Sequence, residues 1–469
     1  MLITLLNLLA AALFIFGLKK LASVKTARLG NQLAAAGMAL AVVVTMVHVT
    51  ELSWVYAILG ILLGSAVGAY AAQKVQMTQM PQMVALFNGL GGLASAFVGI
   101  AELLPKAQLY LSMGHFSHHQ QTAIWFVAVV LSVLVGGLTF TGSLVAFAKL
   151  QELISGKPMA LPQQQLINAG LGIACVVLTI LGLAIFSSAG WVITCVMFLL
   201  VISLVLGVSL TMPIGGADMP VVISLLNSYS GIAGAAAGFA VGEPILVIAG
   251  AMVGASGIIL TQIMCKAMNR SIANVIFGGF GAEDSSGGGG EYKNTKSTSA
   301  EEAAMLFDAA QLAIIVPGYG LAVAQAQHAV REFANLLEKK GCKVLYAIHP
   351  VAGRMPGHMN VLLAEANIPY EQLVEMDQIN SEFKNADIAL VLGANDVVNP
   401  AAKTDPKSPI YGMPVLNVEE ARTVIMVKRS MNPGFAGIKN ELFELENTLM
   451  LFGDAKKVVS DLNEQLKQL

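Results

Sequence analysis

Leu312-Ala-Ile-Ile-Val-Pro-Gly-Tyr-Gly-Leu-Ala-Val-Ala324 couples a short apolar run to a turn built on two glycines. The Ile- and Val-rich half reads as a buried parallel strand. Gly318 and Gly320 make the tight turn, and the Ala/Val/Gln run continuing to Lys340 reads as one helix. Strand, glycine turn and helix are the first unit of a dinucleotide-binding sheet, with the pyrophosphate expected at the helix N-terminus. The third fingerprint position holds Val323 where Gly or Ala is usual, so the motif draws its weight from its setting. It follows a long apolar region and a flexible linker, and strand–helix alternation follows it.

Composition divides the chain. Of 469 residues, 56% are apolar and only 12% charged, against about 25% charged in ordinary globular domains. Most charges fall after residue 281, which implies a membrane half and a soluble half. A net charge of −2 points to no nucleic-acid partner. Four cysteines show neither a pairing pattern nor metal spacing, so no disulfide framework and no metal site are expected.

Residues 1–270 contain nine apolar segments near the roughly 20 residues that a bilayer requires. They run Leu2–Leu18, Leu33–Val49, Val55–Ala72, Met83–Leu104, Ala123–Ala146, Leu166–Phe186, Trp191–Leu210, Val221–Phe239 and Ile245–Cys265. The first carries its basic residues after the apolar stretch rather than before it, so it reads as a span and not a signal peptide. Under nine-span alternation Lys19, Lys20, Lys25, Arg28, Lys74, Lys149, Lys157, Lys266 and Arg270 fall on one side and only Lys106 on the other. Positive loops face the cytoplasm; the N-terminus is therefore expected outside and the soluble half inside.

Few ionisable groups lie in or against the spans: His48, Glu102, Asp218 and Glu243. His48 reads as interfacial, and His115, His118 and His119 as solvated loop residues. Three polar places stand out. Asn88 lies among the glycines of the fourth span, Asn227-Ser-Tyr-Ser230 interrupts the eighth, and Asp218 stands at that span's cytoplasmic mouth. Intramembrane polar groups are costly and point to function, while the bland alternative is interhelical bonding worth about 0.6 kcal/mol each. Physics alone divides these readings evenly.

Residues 281–299 read as a flexible linker, and Ser299 with Glu302 as a capping box. Further strands are expected at Lys343–Ile348, Leu373–Met376, Ile388–Leu392, Val424–Val427 and Thr448–Phe452. No acid follows the second strand to hold a ribose 2′-hydroxyl, as an NAD site would require. Lys428-Arg-Ser430 offers two cations and a hydroxyl suited to a phosphate monoester. A solvated loop is the alternative for that pair, but the missing acid favours NADP(H).

These residues together resemble the β subunit of the proton-translocating NAD(P)+ transhydrogenase of bacteria. The resemblance covers nearly the whole chain. It is carried by Gly215–Pro220, Leu226–Gly231, Met264-Cys-Lys-Ala-Met-Asn-Arg270, Pro317–Gln327, His349–Ala366, Gly393–Ala401, Asp405–Val415 and Lys428–Met431. It implies a polytopic α-helical membrane domain (residues 1–270) that conducts protons, a linker (271–299), and a Rossmann-like α/β domain with a mostly parallel sheet (300–469) that binds NADP(H). The NAD(H) domain belongs to a separate α subunit in the family, hydride passes directly between the two nicotinamides, and the complex holds two copies of each unit in the bacterial inner membrane.

Carried over by position, Gly318, Tyr319, Gly320 and Val323, with Val351, Ala352, Gly353, Arg354, Met355 and Pro356, cradle the dinucleotide. Gly393, Ala394, Asn395, Asp396 and Val397 surround its nicotinamide and phosphate side. Lys428, Arg429 and Ser430 take the 2′-phosphate. Gly412, Met413, Met431, Asn432, Pro433, Gly434 and Phe435 belong to the lid, and Asp454 and Ala455 complete the pocket. Asp218, Asn227 and Asn88 are the candidates for proton conduction or coupling, and Asp396 for a part in catalysis. Asn88 stands where many members have a histidine, and an amide cannot titrate near neutral pH. Members with Asn there resemble the group whose α subunit supplies a membrane histidine. Phe435 replaces a tyrosine common in the lid. The rival reading is a transporter or channel that senses NADP(H) without redox chemistry.

Overall fold

The computed structural model describes residues 2–48, 53–112, 120–156, 158–184, 188–269, 271–277, 292–355, 357–408, 410–434 and 436–469. His115, His118, His119, Lys157, Arg270, Pro356, Phe435 and most of the stretch read as linker lie outside them. The contacts divide the chain into two compact units, one extending to Thr261 and the other containing everything described from Tyr292 onward.

Among the described residues nine helices are long and apolar enough to cross a membrane: α1 (Leu2–Leu21), α2 (Val24–His48), α3 (Trp54–Lys74), α4 (Met80–Ser112), α5 (Gln120–Leu150), α6 (Gln164–Ala184), α7 (Ala189–Thr211), α8 (Met219–Val241) and α9 (Pro244–Ala267). α5 packs on α4, α7 and α8 around Trp125, Phe126, Val129, Val133 and Leu199. α1 pairs with α2. The polar run Asn227–Ser230 does not interrupt α8, which continues through it. Ser224 and Ser228 donate to the carbonyls of Gly257 (3.2 Å) and Gly254 (2.6 Å) on α9, so within the polar run Ser228 is hydrogen-bonded across helices.

Lys149, read from sequence as a loop cation, is in the last turn of α5 and only 3% exposed. Its ammonium donates to the carbonyls of Met212 (2.6 Å) and Ile214 (2.7 Å). Those carbonyls follow the C-terminus of α7, where the backbone dipole favours a cation.

The short helix α10 (Ile272–Phe277) follows α9, and from Tyr292 onward the described residues form a seven-stranded sheet. Its strands are β1 (Lys296–Ser297), β2 (Leu312–Pro317), β3 (Lys343–Ile348), β4 (Leu373–Glu375), β5 (Ile388–Leu392), β6 (Thr423–Lys428) and β7 (Thr448–Phe452). The order is β1-β7-β6-β5-β2-β3-β4, with every pairing parallel. From β2 the chain builds outward through β3 and β4, then returns to the other side of β2 for β5, β6 and β7. The β2–β5 boundary is therefore the point where strand order reverses, and ligands bind in the crevice beyond the strand ends there.

The connecting helices are α11 (Ala300–Asp308), α12 (Tyr319–Val323), α13 (Gln327–Lys339), α14 (His358–Glu365), α15 (Met376–Ile379), α16 (Ala401–Thr404) and α17 (Ala455–Gln468). Ser299 and Glu302 form the expected capping box of α11. Ile314, Val316, Ala389, Val391, Val424 and Met426 are fully buried in the main core, the continuous apolar pattern of strands covered on both faces.

Two expectations differ. The helix read as running from the glycine turn to Lys340 is broken: Gln325 takes φ +49°, separating α12 from α13. The stretch read as linker ends in β1, where Lys296 and Ser297 lie opposite Leu449 and Met450 of β7. Two polar residues carry no alternation to read; their register comes from β7.

Candidate functional site

A cleft of about 460 Å³ opens beyond the carboxyl ends of β2, β5 and β6. Its lining brings together Tyr319, Gly320, Val323, Gly393, Ala394, Asn395, Lys428, Arg429, Ser430, Asn432, Pro433, Gly434, Asp454 and Ala455, all singled out from the sequence. Ala324, Val427 and Gly453 also line it and were not.

The floor is backbone against backbone. Gly318 donates its N–H to Leu392 O (2.9 Å), and Gly320 donates to Gly393 O (3.0 Å). A Cβ on Gly320 would lie 2.7 Å from the Gly393 Cα, and Gly393 itself takes φ +68°. Only glycine fits so close an approach. Both turn N–H groups are therefore committed to protein carbonyls. Because α12 ends at Val323, this residue is exposed in the cleft instead of packing a helix on the strand.

The cationic wall stands at the end of β6. The Lys428 ammonium donates to Asn432 O (2.9 Å) and sits 4.6 Å from the centroid of the Phe443 ring. Burial pushes its pKa down, and the charge of Asp396 opposes that shift. Arg429 and Ser430 are exposed at the rim. The N-terminus of α17 opens on the same cleft, but the Asp454 carboxylate already caps it, accepting from Lys456 N (3.1 Å) and Lys457 N (3.4 Å). An anion in this cleft is therefore left to Lys428, Arg429 and Ser430.

Asp396 Oδ2 accepts the N–H of Ala436 at 2.9 Å. A Cβ on Gly434 would stand 2.5 Å from the other carboxylate oxygen, so the backbone at Gly434 lies directly on Asp396. Val397 and Met431 pack against the main core. Asn440, fully buried and missed by sequence reading, donates its side-chain N–H to Asn395 O (3.1 Å) and Asn395 Oδ1 (2.9 Å).

The loop Val351–Met355 does not line the cleft but leans on one of its walls, with the Arg354 guanidinium 4.5 Å over the Tyr319 ring. Two buried histidines shape this loop. His349 Nδ1 accepts the Val351 N–H (3.2 Å), so Nε2 carries the proton and donates to Pro414 O (2.9 Å). His358 Nδ1 accepts the Arg354 N–H (3.0 Å), and its ring stands 6.1 Å from Tyr319. Burial pushes both imidazoles down to about 4; for His358 the Arg354 charge adds to the effect. Gly353 takes φ +110°, and Ala352 is buried. Gly412 and Met413 lie away from the cleft, Met413 in a small cluster with Ala402, Ile410 and Val415. No acid stands between Ile348 and His358.

In the membrane-length helices, Asn88 donates to Ile223 O (3.2 Å) and ties α4 to α8. Asn227 is half-buried on α8. Asp218 ends the helical turn Gly216–Asp218 that leads into α8.

The NAD(P) transhydrogenase beta subunit family matches residues 3–465. Two relatives called NAD(P) transhydrogenase subunit beta, both from Rhodospirillum rubrum and one from a named strain, are each 52% identical over 459 residues. Each alignment covers 97% of this chain and 97% of the relative. With nine membrane-length helices followed by a parallel dinucleotide-type sheet, the chain belongs to the NAD(P) transhydrogenase beta subunit family.

Proposed function

We propose that this chain is the membrane subunit of a proton-pumping transhydrogenase that holds NADP(H), while an α subunit holds NAD(H). One observation carries the cofactor assignment. Lys428, Arg429 and Ser430 converge on the cleft at the end of β6, whereas the end of β3, where an NAD site keeps a ribose-binding acid, has neutral His349 and then Arg354. A 2′-phosphate suits the first place and nothing anionic awaits the ribose at the second. The dinucleotide accordingly lies across the β2–β5 reversal with its 2′-phosphate over β6.

Bound NADP(H) supplies the carbon that gives or takes hydride. The chain's own residues grip and orient it: Gly318, Gly320 and Gly393 keep the floor low, Lys428 and Arg429 neutralise phosphate, and Asn395 and Asp396 shape the wall under the lid. With one dinucleotide fingerprint in its sequence, the chain depends on its partner to present the second nicotinamide, and two copies of each unit make the complex. The basic residues of the short loops favour an N-terminus outside the bacterial inner membrane and a cytoplasmic sheet domain. Asp218, Asn227 and Asn88 serve the proton path.

Purified alone, the chain is expected to bind NADP+ far more tightly than NAD+ and to show no NADH-to-NADP+ transhydrogenation, because the reacting carbons must come within about 3–3.5 Å. Adding the α subunit should restore turnover. Robust activity without it would overturn the division of cofactors, and tight NADP+ binding without activity in the complex would favour the sensor reading.

A further inference from the structure

Tyr292 lies outside the cleft and in none of the motifs that mark the nucleotide site. Its hydroxyl accepts the backbone N–H of Asn440 at 3.1 Å. Asn440 is 0% exposed, and its side chain is fully engaged: the amide nitrogen holds Asn395 O and Asn395 Oδ1, and the amide oxygen accepts the Leu442 N–H at 3.0 Å. Asn395 lines the cleft and leads directly into Asp396. The phenol ring packs 5.5 Å from Phe443, the same ring that carries the Lys428 ammonium. Lys439 stands 5.1 Å over the Tyr292 ring and pairs with Glu444 at 2.6 Å, while Glu444 also accepts the Lys293 N–H.

One side chain thus supports two separate walls of the cleft, Asn395 through Asn440 and Lys428 through Phe443. A tyrosine that only filled a surface gap would need no such acceptor. Here its oxygen satisfies a backbone N–H beside a fully buried amide, and deleting it leaves that donor without its protein partner.

We infer that Tyr292 is a positioning residue for the nucleotide cleft: the segment entering the sheet from the membrane half sets the geometry of Asn395–Asp396 and of Lys428, and with it the affinity for NADP(H). The inference rests on reading the cleft as the NADP(H) site. Its chemistry is a phenol–amide relay, so the hydroxyl and the ring have separable effects. The hydroxyl governs the Asn395 wall, and the ring steadies Phe443 beside Lys428 and so governs preference for the 2′-phosphate.

The test uses the full chain assembled with its α subunit, with NADP+ and NAD+ titrated against wild type, Tyr292→Phe and Tyr292→Ala. Tyr292→Phe, which keeps the ring, is expected to weaken NADP+ about five- to tenfold, the scale of one lost hydrogen bond. The KM for NADH should stay unchanged, while the melting midpoint of the nucleotide-free complex should fall, because the Asn440 N–H loses its protein partner. Tyr292→Ala should in addition reduce the preference for NADP+ over NAD+. An unaltered NADP+ affinity in Tyr292→Phe, with or without a lower melting midpoint, would reduce Tyr292 to a structural anchor and overturn the inference. Equal affinity of the wild type for NADP+ and NAD+ would instead overturn the cleft assignment on which it rests.

Discussion

Gly320 donates its N–H to the carbonyl of Gly393 at 3.0 Å, and a methyl on Gly320 would lie 2.7 Å from the Gly393 Cα. The neighbouring atoms are backbone and cannot swing aside, so Gly320→Ala must part the turns after β2 and β5. Overpacking of this kind costs about 1–3 kcal/mol. We expect that loss in denaturant unfolding, together with NADP+ binding weakened at least roughly fivefold by the cost-to-affinity arithmetic. Unchanged affinity would mean that the nucleotide does not cross this floor.

Arg429 is exposed at the rim beside Lys428. Arg429→Ala should remove one charged hydrogen bond to the 2′-phosphate, about 1.5–3 kcal/mol, or roughly 10- to 150-fold in Kd. NAD+ affinity should not follow. Titration with both nucleotides checks this, and parallel losses for the two would remove the 2′-phosphate from that corner.

Coupling places different demands on the membrane half. Hydride exchange between like nicotinamides is nearly balanced, whereas a proton crossing 100 mV contributes about 2.3 kcal/mol, a bias of roughly fiftyfold. Asp218→Asn and Asn227→Ala are expected to abolish or uncouple proton uptake into vesicles carrying both subunits, while NADP+ binding remains measurable. Asn88→Ala should be milder, because the amide only ties α4 to Ile223 of α8. Full pumping by the Asp218 and Asn227 variants, with only Asn88→Ala inactive, would move the proton path elsewhere.

His349 and His358 give the sheet domain an acid limit. Both are held near 4 by burial, below the usual histidine value of about 6.5. Between those values the unfolded chain binds protons that the folded chain refuses, so stability is complete above about 6.5 and falls as pH drops towards 4. Each histidine can contribute a slope of at most about 1.4 kcal/mol per pH unit. Denaturant unfolding of the full chain at pH 7.5, 6 and 5, followed by a reporter on the sheet domain, should show this slope. His349→Gln should reduce it, and a flat profile in the wild type would show that these imidazoles accept protons while folded.

Local pattern foretold much of this architecture. β3, β5 and β7 have the limits read from the sequence, and β5, buried at every position, has no polar residue to blur them. The glycine turn and the Lys-Arg-Ser corner were legible because each is contiguous. Asn440 and Tyr292 were not: their roles exist only once residues about 150 positions apart meet, and neither residue type announces such a pairing. The break at Gln325 was hidden for another reason, since nothing in an Ala-Gln-Ala sequence demands a left-handed residue. Lys149 looked like a solvated loop cation until the carbonyls after α7 closed around it.

The pairing of β1 with β7 also governs the order of events during synthesis. Lys296 meets Leu449, about 150 residues later, and α17 reaches back to α13 through Asn463 to Ala329 O and Lys467 to Glu332. A nascent chain emerging from the ribosome can insert its spans and pair β2 with β3, but it cannot complete the sheet edge next to Tyr292 until β7 has emerged. Closing so long a loop is slow and leaves strand edges exposed meanwhile. C-terminal truncation should therefore yield inserted but protease-sensitive protein, with the membrane spans protected and the sheet domain degraded from within.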